Sequence, residues 1–251
     1  MGIWTDIEIA GHACETYEPA HLSEHNQAVL YLHDRQQSSL RENRAFLDEF
    51  ERHGLRVLCP LTGESWWADR IHEPFDTVQT AERFVLDACV PWLAEHWQVV
   101  PPQIALFGCE MGGQGALRIS YKHPNVFPVV AAIAPALDFQ IHIELSHGRL
   151  GDPALTKMYG EVESGRQDTA TLHIHPLNWP RNQWFCADPG DYYWHDSAER
   201  LRMKLYSLGV PYEGEFDITA EATGWSYHNK MAAPAMAFLA ERLEAERRRV
   251  V

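Results

Sequence analysis

The chain has 251 residues and a net charge of −14, which allows one well-packed domain and makes nucleic acid and anionic membranes poor partners. Its five cysteines are an odd number without a C-x-x-C pair, which favours reduced thiols in a cytoplasmic protein. No apolar run reaches the ~20 residues that span a bilayer, and no signal peptide is visible.

The first half of the chain predicts strands that alternate with helices. Ile7 and Ile9 indicate an opening strand or hairpin, and the apolar residues 28–32 predict a buried strand. Ser38 or Ser39 is expected to cap a helix. The further predicted elements are that helix over residues 40–53, a strand over 55–59, a long helix over 77–97, a strand over 103–107 and a helix to about residue 121.

In the second half, a strand over residues 129–133 leads into residues 137–180, which are rich in His, Gly and Pro. We expect this segment to be a lid or cap over the strand ends. The remaining predicted elements are a strand over 184–187, a helix over 197–208, a strand over 212–216, a loop over 222–229 and a helix over 231–249. The alternation predicts a single α/β domain over residues 1–251, with a mostly parallel sheet covered on both faces.

The sequence around residue 110 joins a strand to a helix through a glycine-bracketed turn. Residues 108–112, Gly-Cys-Glu-Met-Gly, have the layout of a nucleophile elbow, G-x-S-x-G, in which a sharp turn lifts one side chain above the sheet. The small residues suit a strained turn with close packing. Glu110 stands where the serine belongs, beyond the carboxyl end of a strand, where parallel sheets bind ligands.

Four stretches are similar to motifs of one enzyme family. Residues 32–34 are similar to L-H-G, residues 108–117 to G-x-S-M-G-G-x-G-A-L, residues 122–127 to K-H-P-[DE]-x-F, and residues 225–227 to the G-H-S-W-x-Y segment before the last helix. With these motifs the chain resembles the putative-esterase branch of the α/β-hydrolase superfamily, which includes esterase D and feruloyl-esterase-like enzymes. The resemblance implies a three-layer α/β-hydrolase fold, and we expect no cofactor.

The resemblance also assigns the site residues. Asp191 follows a strand where the family carries its catalytic acid. Glu110 replaces the nucleophile, and Thr223 stands where the family has its histidine. Asp34 replaces a glycine of the oxyanion loop. The residues assigned to the oxyanion loop and the turn are His33, Asp34 and Met111.

A glutamate nucleophile is poorly suited to ester hydrolysis. A carboxylate that attacks an ester forms an anhydride, and because it is the better leaving group, the adduct collapses backwards. Its charge would also oppose the oxyanion, and a like charge at ~4 Å costs on the order of 4 kcal/mol at an effective dielectric near 20, roughly a thousandfold in rate. We therefore expect an esterase-like protein that has lost Ser-His-Asp catalysis and acts in binding a small molecule, or has an atypical activity.

Two other hypotheses stay open. In a working hydrolase, Glu110 would act as nucleophile or base with Asp191, as aspartate does in the haloalkane dehalogenases and epoxide hydrolases of the same superfamily. The supporting histidine would be His228 or His33, although for His228 a capping or packing role near the start of the last helix is favoured over that of a general base. In a third hypothesis, Asp34, Glu110 and Asp191 form an acidic pocket for a cation or an amine.

Other conspicuous side chains have simpler explanations. Cys109 is expected to be a buried, unreactive thiol that points away from the pocket. Because His173-x-His175 lacks a third ligand at a recognisable spacing, we expect no metal site. The resemblance alone suggests a homodimer. The histidines of residues 137–180 are His142, His147, His173 and His175, and the tryptophans that could form walls or core are Trp66, Trp67 and Trp179.

Overall fold

The computed structural model of the chain describes residues 2–145 and 151–249. The strands within these residues form one eight-stranded sheet. They are β1 (Ile3–Ile9), β2 (His12–Glu18), β3 (Ala28–Leu32), β4 (Arg56–Pro60), β5 (Ile104–Cys109), β6 (Val129–Ile133), β7 (Asn182–Cys186) and β8 (Glu213–Glu215). Their order across the sheet is β1-β2-β4-β3-β5-β6-β7-β8.

The sheet is mostly parallel, as predicted. β1 and β2 form an antiparallel hairpin in which Ile9 pairs with His12, and β2 is also antiparallel to β4. The other neighbouring strands pair in parallel. The carboxyl ends of β3, β5, β6 and β7 therefore meet along one edge, where sheets of this kind bind ligands.

Helices lie on both faces of the sheet. A π-helical turn, Val85–Cys89, joins two of them, and a 3-10 turn spans Ala170–Leu172. The α-helices are α1 (Arg44–His53), α2 (Ala81–Phe84), α3 (Val90–Trp97), α4 (Met111–Lys122), α5 (Phe139–Glu144), α6 (Pro153–Tyr159), α7 (Val162–Gln167), α8 (Tyr192–Leu208), α9 (Trp225–Lys230) and α10 (Ala232–Arg249).

Alternate side chains of each strand enter two separate cores. On β3, Leu30 packs on the face that α2, α3, α4 and α8 cover, whereas Val29 and Tyr31 pack on the face that α1 and α10 cover. All residues of β3, β5 and β6 are buried, which explains why these strands read as unbroken apolar runs. The architecture is the three-layer α/β arrangement that the sequence predicted.

The helix predicted over residues 40–53 begins only at Arg44. Ser38 does not cap it, because its amide and its hydroxyl both donate to the carboxylate of Asp34, at 2.9 and 2.7 Å. The hydroxyl of Ser39 donates to a carboxylate of β2. Neither serine is the cap, because Asn43 is the residue that precedes the first turn of the helix.

The helix predicted over residues 77–97 is shorter and is interrupted. It begins after Thr80, whose hydroxyl accepts the amide of Arg83. Proline has no amide donor and its ring conflicts with the carbonyl four residues earlier, so Pro91 cannot continue a regular helix. The π-helical turn directly before α3 accommodates it.

The cap segment, which we define as residues 137–180, is more regular than predicted in its described part. It contains α5, α6, α7 and the 3-10 turn. A buried ionic cluster fastens it to α4, because the fully buried Arg118 pairs with Glu82 of α2 and with Asp168, which follows α7. The described part of the segment is thus packed against the rest of the protein.

Two later boundaries also differ from the prediction. α8 begins at Tyr192, five residues before the predicted start. Residues 222–229, predicted as a loop, contain most of α9, which follows Gly224 (φ 71°). A six-residue helix is too short to show a clear apolar period in the sequence. The presence of α9 bears on the site because this helix carries the buried His228.

The thiols agree with the sequence analysis. All five cysteines are buried and free. Burial, with the nearby charges of Asp34 and Glu110, raises the pKa of the Cys109 thiol well above its usual value, as expected for an unreactive group. Across the described part of the chain, no helix combines the length and apolar character needed to cross a membrane.

Candidate functional site

Glu110 lies at the turn between β5 and α4 in a conformation that few residues adopt. Its φ is 48° and its ψ is −113°, and positive φ is strained for a residue with a Cβ atom. Backbone hydrogen bonds hold the turn, since the amide of Glu110 donates to Ile133 and its carbonyl accepts from Gln114 and Ala136, each at 3.0 Å. The side chain of Glu110 lines a cavity above the sheet.

Two glycines make this turn possible. A Cβ atom at Gly112 would lie 1.8 Å from the carbonyl oxygen of Leu32, at the end of β3. A Cβ atom at Gly108 would lie 2.2 Å from the backbone of Gly112. These approaches are far inside van der Waals contact, so only glycine allows β3, β5 and α4 to meet this closely.

The imidazole of His228 lies close to Glu110. Its Nε2 lies 3.7 Å from Oε1 of Glu110, and the residue is only 1% exposed. Burial lowers its pKa to about 4, against a smaller opposing effect of the Asp34 charge, so the ring is neutral at pH 7. Its Nδ1 atom has no hydrogen-bond partner within residues 2–145 and 151–249.

His33 holds the loop after β3 instead of reaching Glu110. Its Nε2 accepts the amide of Thr62 at 3.0 Å, which requires Nδ1 to carry the proton that bonds the Asp34 carbonyl at 2.7 Å. Burial lowers its pKa to about 4, although the bond to the Asp34 carbonyl and the Asp34 charge oppose this. Trp67 donates its indole N–H to the carbonyl of His33 at 3.1 Å.

The carboxylate of Asp34 organises the same loop. One oxygen accepts the amides of Gln36 (3.1 Å) and Ser38 (2.9 Å), and the other accepts the Ser38 hydroxyl (2.7 Å) and the indole N–H of Trp225 (3.2 Å). The last bond ties the loop to α9, the helix that carries His228. Asp34 is 1% exposed, so its carboxylate serves the loop rather than an open acidic pocket.

The remaining candidate residues, together with Asp188 close to Asp191, lie in different environments. Asp188 forms a turn, because its carboxylate accepts the amides of Gly190 (2.7 Å) and Ala220 (3.2 Å). Asp191 is buried just before α8. Thr223 is exposed in the bend before α9. Met111, the first residue of α4, is buried and lines the cavity beside Glu110.

A cavity of about 220 Å³ opens above Glu110. Three aromatic rings stand on its wall, with the His142 ring 4.7 Å from Trp66 and 5.7 Å from Trp194 between centroids. This volume suits a small molecule rather than a polymer. The cavity is lined by Arg35, Gln36, Trp66, Glu110, Met111, Ala136, His142 and Trp194.

The buried Asp152 fixes two of these lining residues. It stands immediately before α6 and caps that helix by accepting the amide of Leu155 at 2.9 Å. Its other oxygen accepts the indole N–H of Trp66 at 3.0 Å and a guanidinium N–H of Arg35 at 3.3 Å. The cap segment therefore sets the orientation of Trp66 and places a compensating charge beside Arg35.

The histidines of the cap segment have separate roles. His173 bonds the carboxylate of Asp168 at 2.8 Å, and the ring of His175 accepts the amide of Leu177 at 3.1 Å. His142 lies in the cavity wall, and His147 lies outside the described residues. Over the described ranges, no three His, Cys, Asp or Glu side chains are grouped so that they could hold a metal ion.

Sequence reasoning missed three contributors to the cavity, namely Arg35, Asp152 and Trp194. Asp152-Pro153 is the capping pair of a helix start, so the sequence held a signal for α6. The sequence held no signal for the contact between Asp152 and Trp66, because these residues are 86 positions apart. Of the three predicted tryptophan walls, Trp66 lines the cavity.

Comparison with known proteins identifies the family. The model of the family described as putative esterase matches residues 15–202, three-quarters of the chain, and the chain belongs to this family. The S-formylglutathione hydrolase of Rattus norvegicus is 30% identical over 74 residues, which span 30% of this chain and 26% of the rat protein. That similarity therefore covers only about a quarter of the relative's length.

Solved structures share the whole architecture. An S-formylglutathione hydrolase from Agrobacterium tumefaciens has a TM-score of 0.75 at 18% identity, over 96% of this chain and 94% of that chain. FphF, a fluorophosphonate-binding serine hydrolase of Staphylococcus aureus, has a TM-score of 0.76 at 12% identity, over 95% and 98% of the two chains. The fold is the three-layer α/β-hydrolase fold, as the sequence predicted.

Proposed function

We propose that this member of the putative esterase family binds a small molecule and does not hydrolyse esters by the serine mechanism. In this proposal the turn at Glu110 corresponds to the nucleophile elbow, with glutamate in place of serine. The observation that carries it is the position of the Glu110 carboxylate, at the tip of the strained turn and 3.7 Å from Nε2 of His228.

The chemistry of the carboxylate supports the proposal. If water added to an ester carbonyl, the oxyanion would form close to the N-terminus of α4, and the charge of the ionised Glu110 would oppose it. A carboxylate that attacked the ester itself would be expelled from the adduct more readily than an alkoxide. At ~4 Å, a like charge costs on the order of 4 kcal/mol at an effective dielectric near 20, or roughly a thousandfold in rate.

The environment of His228 supports it further. In a working triad, an acid bonds Nδ1 of the histidine, fixes its tautomer and stabilises the imidazolium. Within the described residues, Nδ1 of His228 has no such partner. A ring whose pKa is lowered to about 4 is a weak base at pH 7.

Hydrolysis of short p-nitrophenyl esters tests the proposal. We expect the protein to release p-nitrophenol no faster than buffer, and Glu110→Gln to leave that rate unchanged. Glu241→Gln, which removes an exposed carboxylate of α10, is the matched control. A rate well above buffer that is lost in Glu110→Gln and kept in Glu241→Gln would refute the proposal.

A second candidate function is favoured by the short distance between Glu110 and His228. The Glu110 carboxylate would displace a leaving group X from an sp³ carbon, forming an O–C bond as the C–X bond breaks and X⁻ departs. Water would then attack the carbonyl carbon of this ester while His228 takes its proton. The carboxylate is regenerated and the alcohol is released.

Mass spectrometry of the intact protein tests this candidate. In His228→Gln the second step should fail, so incubation with 1-chlorobutane should leave a butyl ester that peptide mapping assigns to Glu110. His21→Gln, at an exposed position, is the control and should release butanol without accumulating the ester. The candidate would be rejected if the wild type released no butanol and His228→Gln formed no adduct.

A further inference from the structure

We propose that Trp66 is a movable wall of the cavity above Glu110 and that the carboxylate of Asp152 holds this wall in place. Release of the ring would enlarge the cavity and admit larger ligands. Because this is a way of regulating the same cavity, it rests on the proposed binding function. Three observations carry it, namely a strained turn, the different attachment of its two central residues and the division of labour between the oxygens of Asp152.

Trp66 and Trp67 occupy the two central positions of a tight turn. The amide of Ala68 donates to the carbonyl of Ser65 at 3.2 Å and closes the turn, and φ is 53° at both tryptophans. Turns with two positive φ angles normally have glycine, asparagine or aspartate at these positions. A bulky residue with positive φ is strained, and such strain persists only where surrounding contacts impose it. The conformation of Trp66 therefore depends on the contacts that hold it.

Residues outside the cap segment hold Trp67. Its indole N–H donates to the carbonyl of His33 at 3.1 Å, and its amide donates to the hydroxyl of Ser65 at 3.2 Å. Its side chain lies directly over Gly115 of α4, where an added Cβ atom would come within 2.5 Å of the Cβ atom of Trp67. Trp67 is also fully buried, so this half of the turn is fixed.

The cap segment holds the side chain of Trp66. Its indole N–H donates to Asp152 at 3.0 Å, and its ring packs edge to face on Phe139 of α5, with 5.4 Å between the centroids. The carbonyl of Trp66 accepts a side-chain N–H of Gln114 at 3.1 Å. A return of Trp66 to negative φ would relieve the strain and turn the ring away from the cavity wall, because the direction of a side chain follows its backbone. These three contacts oppose that movement.

The two oxygens of Asp152 have separate partners. One oxygen accepts the amide of Leu155 and caps α6, whereas the other accepts the indole N–H of Trp66 and a guanidinium N–H of Arg35. A hydrogen bond to a carboxylate is stronger than one between neutral groups. The contact that holds Trp66 can therefore be removed without uncapping the helix, by a change at the second oxygen alone.

Asp152→Asn makes this change. Its carboxamide oxygen keeps the cap of α6, because asparagine caps helices as well as aspartate does. Its NH₂ group then faces the indole N–H of Trp66, so that two donors oppose each other. The opposite orientation of the carboxamide would give up the cap. Asp48→Asn, which alters an exposed carboxylate of α1 in the same way, is the matched control.

Fluorine NMR of the whole chain labelled with 5-fluorotryptophan follows the ring directly. Phenylalanine variants assign the resonances of Trp66, Trp67 and Trp179, and a soluble nitroxide broadens the signal of any ring that reaches solvent. Trp66 is only 2% exposed, so the wild type and Asp48→Asn should give one Trp66 resonance that the nitroxide leaves sharp. In Asp152→Asn we expect a displaced population of about 10% or more. It should appear as a second or a shifted Trp66 resonance that the nitroxide broadens, while Trp67 and Trp179 stay unchanged.

Two results would overturn the inference. One is a single Trp66 resonance in Asp152→Asn that matches the wild type and stays sharp, because the carboxylate would then not be what holds the ring. The other is the same change at Trp67 or Trp179, because the whole turn or the cap segment would then come loose. The spectra are recorded without any ester, so a failure of the movable wall is distinguishable from a failure of the proposed function.

Discussion

Nε2 of His228 lies 3.7 Å from Oε1 of Glu110, although the two residues are far apart in the sequence. The short helix α9 brings the ring there, five positions after Thr223, where the family resemblance places the histidine. The same helix carries Trp225, which bonds Asp34. The histidine, the loop after β3 and the glutamate are thus parts of one arrangement, and each can be altered separately.

The buried histidines should make the protein less stable in mild acid. The pKa of His228 is about 4 in the folded protein and near 6.5 when unfolded, so the unfolded chain binds more protons between these values. Stability is therefore lost as the pH falls below about 6.5, by about 2 kcal/mol between pH 7.5 and 5 for this residue. Urea unfolding of His228→Gln at both pH values should show a smaller pH dependence.

His33 should contribute a similar amount, because burial lowers its pKa to about 4 as well. His21 is exposed, so His21→Gln should keep the pH dependence of the wild type. An unchanged pH dependence in His228→Gln would show that this ring is not buried in its neutral form.

Replacing Asp34 should loosen the loop after β3. Asp34→Gly removes all four hydrogen bonds of the carboxylate, so we expect a loss of about 2–4 kcal/mol. Asp34→Asn keeps an acceptor for the two amides and should cost less. Chemical denaturation of both variants measures this order, and an Asp34→Gly protein as stable as the wild type would contradict the assigned role.

Gly112 should tolerate no side chain. Gly112→Ala would place its Cβ 1.8 Å from the carbonyl oxygen of Leu32, which can be relieved only by moving β3 or α4. We expect a loss of at least about 3 kcal/mol or a failure to fold. Gly113→Ala is the control, since its closest contact would be 3.0 Å. Equal melting temperatures of the two variants in thermal unfolding would contradict the close approach of β3 and α4.

The ionic cluster of the cap segment should matter for stability. Burial raises the pKa of Glu82, but the hydrogen bond from His123 and the charges of Arg118 and Lys122 outweigh it and bring the pKa to about 2. Glu82→Gln leaves the buried Arg118 undercompensated and should cost about 3–5 kcal/mol. Glu163→Gln breaks an exposed pair with Arg166 and should leave the urea midpoint nearly unchanged. Similar midpoints for both variants would contradict the cluster's role.

The sequence predicted the layers and the turn at Glu110 because both depend on local patterns. Apolar runs such as residues 129–133 mark strands buried on both faces, and Gly108 and Gly112 mark a turn with close backbone contacts. The helix boundaries were less predictable where a side-chain hydrogen bond or a proline decides them. Asp34 binds the predicted cap Ser38, and Pro91 forces a π-helical turn inside an apolar period.

The environment of the site could not be read from the sequence. Asp152 meets Trp66 and Arg35 only after the cap segment has folded over the strand ends. His228 becomes a neighbour of Glu110 through a six-residue helix that the pattern does not reveal. Three statements stay predictions, namely that Asp191 acts as an acid, that the protein forms a homodimer and that it lies in the cytoplasm.

The absence of a hydroxyl nucleophile at the turn is the central claim, and reaction with a fluorophosphonate probe tests it most directly. Such probes form a covalent adduct with the activated serine of serine hydrolases. Intact-protein mass spectrometry should show this chain unmodified, while a serine hydrolase in the same solution is fully labelled. A stoichiometric adduct that peptide mapping places on a hydroxyl side chain next to the Glu110 cavity would contradict the claim.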